Sequence, residues 1–194
     1  MLILALGFGT FLPGCTDADP ASSNLTGEPA QSLAKADAVE GPGGGARGDV
    51  SATEREHLVF MREEEKLARD VYTVMYQKWA SRIFLNISAS EQTHMNAILT
   101  LLNRYGIEDP VGENGAGRFT DPELKALYDE LVARGNTSLE EALRVGAAIE
   151  ELDIADLRDA ISVTDNGDIL RVYGNLLRGS QNHLRAFTRA LSVL

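Results

Sequence analysis

One feature governs the chain between residues 53 and 193: apolar side chains return every three or four positions along four long stretches. Residues 53–79 place Leu58, Phe60, Met61, Leu67, Ala68, Val71, Tyr72, Val74 and Met75 on one helical face, and 87–105 do the same with Ile87, Ile98, Leu101 and Leu102. Residues 138–161 continue with Leu139, Leu143, Ile149, Ile154 and Leu157, and 168–193 with Ile169, Val172, Tyr173, Leu176, Leu184, Phe187 and Leu191. This is the period of an amphipathic helix, not the alternation of a half-buried strand. The chain is therefore expected to be all-α, with four long helices.

Boundary signals refine that expectation. Ser138 followed by Glu141 has the form of a capping box, and Asp121-Pro122 suits an N-cap with proline in the first helical position of a shorter helix over 122–134. Thr164-Asp165-Asn166-Gly167 makes a tight turn between the third and fourth long helices, whereas about thirty residues separate the second from the third. Four helices with one long crossover, here carrying a short extra helix, is the connectivity of an antiparallel ferritin-like bundle.

The segments before residue 53 differ in kind. Residues 1–15, MLILALGFGTFLPGC, form an apolar run of signal-peptide length that is too short for a membrane-spanning helix. Its end, Leu12-Pro13-Gly14-Cys15, resembles the lipobox of bacterial lipoproteins, which implies export, lipidation of Cys15 and anchorage in the cell envelope, facing the periplasm or cell surface. Residues 16–52 are rich in Ala, Gly, Pro, Ser and Asp, with GPGGGARGD at 41–49, and read as a flexible linker ahead of a folded domain at 53–194. The lipid anchor would be the membrane contact.

Charge and composition exclude several functions. A net charge of −11 repels nucleic acid, and an aromatic content of 6% gives no stacking platform. The single cysteine excludes an internal disulfide framework and a multi-cysteine zinc site, so any metal must be held by nitrogen and oxygen.

At about 100° per residue, polar side chains fall on faces that should be apolar. Of Glu63, Glu64 and Glu65, only Glu64 reaches the centre of the first stripe. Glu91 and His94 straddle the second, Glu150 and Asp153 the third, with Glu151 turned outward, and His183 lies with Val172, Leu176 and Phe187 on the fourth. Glu91 could instead close a capping box with Ser88, and a lone histidine on an apolar face is often a hydrogen-bonded core residue. A buried carboxylate nonetheless costs several kcal/mol without a counter-charge, and no Lys or Arg reaches the centre of a stripe. Level agrees for one pair: the midpoint of positions 150 and 183 falls in the 164–167 turn. For Glu64 and Glu91 the midpoint falls near residue 78, so the SRIFLNIS segment is expected to run back along the bundle in an extended path.

The blocks MREEEKLARDVY (61–72), NISASEQTHM (86–95), AAIEELDIADL (147–157) and NLLRGSQNHLRAF (175–187) together resemble an uncharacterised ferritin-like family, domain of unknown function 2202, akin to the rubrerythrin-type di-iron carboxylate proteins. The resemblance covers about residues 53–191. It implies one glutamate from each of two helices and a Glu-x-x-His pair from each of the others. Glu64 and Glu150 match the single glutamates, Glu91 and His94 the first pair, and His183 the histidine of the second. Ser180 stands where the fourth glutamate belongs, with Asp153 as its candidate replacement. The implied cofactor is iron, as a di-iron centre, with manganese or zinc as alternatives. The implied activity is that of an oxidoreductase acting on ferrous iron or peroxide, with dioxygen or peroxide as oxidant. Tyr72 and Tyr173 are candidate neighbours of the site, and self-association stays open. The contrasting expectation is a helical lipoprotein that binds one metal or none and serves as an adaptor.

Overall fold

The computed structural model describes residues 50–194, so Cys15, the signal-like run and nearly all of the linker lie outside the described residues. Within them the chain forms five helices and no strand: α1 (Ala52–Trp79), α2 (Arg82–Tyr105), α3 (Pro122–Gly135), α4 (Leu139–Val163) and α5 (Gly167–Leu191). The long helices pack in a ring, α1 on α2 and α4, α5 on α4 and α2, while α3 lies against α1 and α4. This is a four-helix-bundle-like arrangement with a long crossover from α2 to α4.

Local chemistry sets the ends. At α1, Ser51 accepts the Glu54 amide and Glu54 accepts the Ser51 amide, a complete capping box. The α1–α2 connection is only Ala80-Ser81, and Ala80 closes α1 in the left-handed region (φ 52°, ψ 21°), a conformation costing about 1 kcal/mol or more for a residue with a Cβ. Ser138 accepts the Glu141 amide at the start of α4, and Asn166 accepts the Asp168 and Ile169 amides at the start of α5.

SRIFLNIS is not extended. Helix α2 starts at Arg82, because Phe84 and Ile87, three positions apart, are both buried on the face that continues to Glu91, His94 and Ile98. Residue type suggested a strand; spacing decides for helix. It also disposes of the capping box at Glu91, since Ser88 sits inside α2 and donates to the Leu85 carbonyl.

Two apolar clusters divide the bundle. One gathers Leu67, Val71, Tyr72, Met75, Phe84, Leu143, Ile149 and Phe187 with residues of α3; the other gathers Leu58, Met61, Ile98, Leu102, Leu157, Ile169, Tyr173 and Leu176. Every long helix contributes to both. Between its two contributions each has a buried polar stretch: 62–66 on α1, 91–94 on α2, 150–153 on α4 and 180–183 on α5. A polar layer is thus held between two dry ones.

Candidate metal centre

In α1 the block MREEEKLARD is buried almost all round, because α2, α4 and the crossover cover it from different sides. Four of its side chains serve the crossover. Arg62 makes a two-pronged pair with Asp109 at 2.9 Å and donates to the Met95 carbonyl. Glu63 accepts the Thr120 amide and hydroxyl, each at 2.6 Å, and the Asp121 amide at 3.1 Å. Lys66, 0% exposed, binds Asp70 at 2.6 Å and the Gly115 carbonyl, and Asp70 in turn accepts the Gly117 amide. Of the other three charged side chains, Arg69 binds Asp70 and Gln92, and Glu64 and Glu65 enter the polar layer.

There the donors form two sets. Glu65, Glu91 and His94 make one, and Glu91, Glu150 and His183 the other; within each, the candidate ligand atoms lie within 4.8 Å of one another. Glu91 belongs to both. Its Oε2 is 2.7 Å from His94 Nδ1 and its Oε1 is 2.9 Å from His183 Nδ1. Glu65 Oε2 completes the first set at 3.2 Å from His94 Nδ1, and Glu150 Oε2 the second at 3.4 Å from His183 Nδ1. The imidazoles stack with centroids 5.6 Å apart.

Helix α5 approaches this layer through Gly179. A Cβ there would stand 2.5 Å from His94 Nε2 and 2.7 Å from its Cε1, so only a glycine lets the backbone lie against that ring. Tyr72 supports the other side, donating to Glu150 Oε1 at 2.7 Å and to the Gly146 carbonyl at 3.2 Å. Tyr173 is buried in the second apolar cluster with no hydrogen-bond partner for its hydroxyl, away from both donor sets. Ser180 is 0% exposed and gives its hydroxyl to the Leu176 carbonyl.

Protonation follows from burial and neighbours. Burial pushes Glu91 up, but the two imidazoles outweigh it and hold the carboxyl at about 2. Burial lowers the histidines, yet the carboxylates outweigh that too, taking His94 up to about 11 through Glu65 and Glu91 and His183 to about 10 through Glu150 and Glu91. Glu150 is pushed up to about 8, by burial foremost, and Asp153 to about 7, by burial and against the easing effect of the Ser180 hydroxyl. Glu64 and Glu65 are raised well above the usual carboxylate range, again by burial foremost and then by Asp153.

The donors fit a pair of metal ions on two observations. Buried oxygens go unused: both of Glu64, Oε1 of Glu65 and of Glu91, and Oδ1 of Asp153 have no hydrogen-bond partner, and neither has His183 Nδ1 despite its 2.9 Å approach to Glu91. Close donor atoms without hydrogen-bond alignment are what a shared ion produces, since ligands about 2.1 Å from one ion at right angles stand about 3 Å apart. Charge is the second. Glu64, Glu65, Glu91, Glu150 and Asp153 line one cavity of about 10 Å³. Two protonated imidazoles can balance only two ionised carboxylates, and Arg62 and Lys66 are engaged with the crossover, so without a further cation the raised Glu64, Glu65 and Glu150 keep their protons.

The structure brings together Glu91, His94, Glu150 and His183, and places Asp153 beside Ser180 on the rim of the same cavity. Glu64 lines the cavity without joining either three-residue set. The helical wheel put only Glu64 at the centre of the first stripe and so passed over Glu65. Glu65 is 2% exposed and faces His94, because α1 has no wide solvent face on which a neighbour of Glu64 could lie. Gly179 was legible only as a small residue one position before Ser180; its role needs the position of His94 on another helix.

The comparisons agree with this architecture. The chain is 54% identical over 143 residues to the uncharacterised protein MJ0754 of Methanocaldococcus jannaschii, covering 74% of this chain and 77% of that protein. The crystal structure of the hypothetical protein MJ0754 from Methanococcus jannaschii superposes with a TM-score of 0.75 at 52% identity, over 77% of this chain and 86% of that one. A DUF305 fragment from Deinococcus radiodurans shares the fold at a TM-score of 0.60 and 16% identity, over 74% of this chain and 98% of the fragment. The family described as uncharacterized protein domain DUF2202 matches residues 54–193, and the chain belongs to it.

Proposed function

We propose that this protein is a ferritin-like metal-binding protein whose polar layer holds two divalent ions, iron foremost, with manganese or zinc as alternatives. The observation that carries this reading is Glu91, whose two oxygens face two different histidines in two different donor sets. One ion would take Glu65, Glu91 and His94, the other Glu91, Glu150 and His183, with Asp153 at hand where the fourth-helix glutamate is replaced by Ser180. Five ionised carboxylates with neutral imidazoles would exceed the charge of two divalent ions by only one.

Iron or manganese held by these residues would supply paired one-electron changes, which suits dioxygen or peroxide as oxidant and the oxidation of ferrous iron or removal of peroxide as activity. The chain's own residues prepare that chemistry. Tyr72 fixes the free edge of Glu150, Gly179 lets α5 close over His94, and the apolar clusters on either side keep bulk water from the layer. Anchorage of this activity at the envelope through Cys15 is part of the proposal. Among the described residues no helix is long and apolar enough to cross a membrane, so any attachment made by them would be peripheral.

The test is metal content. Full-length protein reconstituted anaerobically with ferrous or manganous ion and desalted should retain close to two equivalents per chain; less than one overturns the reading. A second reading rests on the mutual pairing of His94 and His183 with Glu65, Glu91 and Glu150, which gives a metal-free bundle some internal counter-charge. In that case the protein is a non-catalytic adaptor, and its melting temperature is indifferent to metal.

A further inference from the structure

Glu64 has no evident structural use. It is 3% exposed, both its oxygens lack a hydrogen-bond partner, and it belongs to neither donor set although it lines the same cavity. Leaving a buried carboxylate without partners costs more than most folds tolerate at a position that packing alone would fill with leucine. Its neighbours are informative. Asp153 on α4 lines the cavity too, with an orphaned Oδ1. One turn further along α4, half-buried Asp156 stands beside Glu64, close enough to press on its charge. His57, two turns before Glu64 on α1 and also half-buried, is felt by Asp156 in turn. The chain has three histidines, and while His94 and His183 meet Glu91, His57 stands apart from both donor sets, near Asp156.

We propose that His57, Asp156, Glu64 and Asp153 form a loading path for divalent transition-metal cations, leading from the surface between α1 and α4 to the centre. Successive helical turns set donors about 5.4 Å apart, a distance an ion can cross by exchanging one carboxylate for the next. Asp156 and His57 meet the hydrated ion at the half-exposed mouth. Glu64, which lines the cavity, takes it from Asp156 and passes it to Asp153, which already borders the two donor sets. An orphaned carboxylate suits this role, because a group tied by hydrogen bonds would have to break them at each passage. A row of negative charge also raises the local cation concentration and the rate of capture. The inference rests on the reading of the polar layer as a metal centre.

Anaerobic stopped-flow mixing of the full-length protein with cobaltous ion, a coloured probe that needs no oxidant, separates the two. In Asp156→Asn and His57→Gln the absorbance of bound cobalt should rise roughly five- to tenfold more slowly than in the parent. Its final amplitude, spectrum and stoichiometry should be unchanged. The parental rate should fall with added salt, and the Asp156→Asn rate should fall less. Glu65→Gln, at the centre itself, should lower the final amplitude. Parental loading rates in both Asp156→Asn and His57→Gln, or a reduced amplitude at an unchanged rate, would overturn the path while leaving the centre intact. Absence of cobalt uptake by the parent would overturn both.

Discussion

Glu91 Oε1 lies 2.9 Å from His183 Nδ1, across the bundle from α2 to α5, without the alignment of a hydrogen bond. The other oxygen of the same carboxylate is 2.7 Å from His94 on its own helix. One residue thereby joins the α1–α2 pair of helices to the α4–α5 pair at the level of the polar layer.

Substitutions of Glu91 on α2 and along the α1 acidic run should separate by role. Glu91→Gln, which removes the shared charge, should reduce retained metal below one equivalent, and Glu65→Gln should weaken binding about tenfold or more. Glu63→Gln should leave metal binding nearly unchanged while exposing the 107–121 segment to proteolysis, because its three hydrogen bonds come from Thr120 and Asp121. Equilibrium metal titration with limited proteolysis checks the set, and a Glu63→Gln variant with the larger metal defect would refute it.

Two glycines of α5 give a matched pair. At Gly174 an added Cβ meets nothing nearer than Arg178 Nη1 at 3.8 Å, so Gly174→Ala should stabilise by up to about 1 kcal/mol through helix propensity. At Gly179 the same methyl is driven to 2.5 Å from the His94 ring, so Gly179→Ala should lower both melting temperature and metal affinity. Thermal melts of the two variants with and without ferrous ion decide it.

Ser180→Glu would restore a Glu-x-x-His pair, but Asp153 already occupies that neighbourhood. The single variant should be less stable than the parent without metal, since it adds a buried carboxylate to a crowded cavity. Ser180→Glu combined with Asp153→Ala should recover metal stoichiometry and most of the stability. Additive losses in a double-mutant cycle would show that the two positions do not share space.

Acid should act through the crossover. Burial pushes Asp109 up, but the Arg62 guanidinium and the Val111 amide outweigh it, so its folded carboxyl sits below the ordinary 3.8. A depressed carboxyl contributes stability above pH 3.8 that is lost as pH falls through the folded value. Asp109→Asn should therefore be destabilising at pH 7, by an amount that shrinks below pH 3.8. Urea melts of parent and variant between pH 3 and 7 measure this, and a penalty independent of pH would assign Asp109 no charge-based role.

Helix content, the short α3 and the tight 164–167 turn were legible because periodicity and capping chemistry are local. Facing positions were legible wherever a short turn fixed the register, as for Glu150 and His183. Two kinds of information were not. The start of α2 needed Phe84 and Ile87 to be weighed by spacing, not by strand propensity. The orientation of Glu63 and Glu65 depended on what covers α1, and a wheel assumes one wet face where α1 has the crossover pinned by Arg62, Glu63, Lys66 and Asp70. Tyr72, a candidate neighbour by its place on the α1 face, does meet Glu150, whereas Gly179 acts on His94 of another helix and no single-helix pattern shows it.

The sharing of Glu91 makes the chain unequally divisible. A fragment ending after Gly106 would carry Glu65, Glu91 and His94, one whole donor set, whereas a fragment beginning at α4 would carry Glu150 and His183 and lack its third member. Cut in two, such a protein would leave all the autonomy on one side: the N-terminal piece could recruit an ion by itself, and the C-terminal piece only by finding its mate.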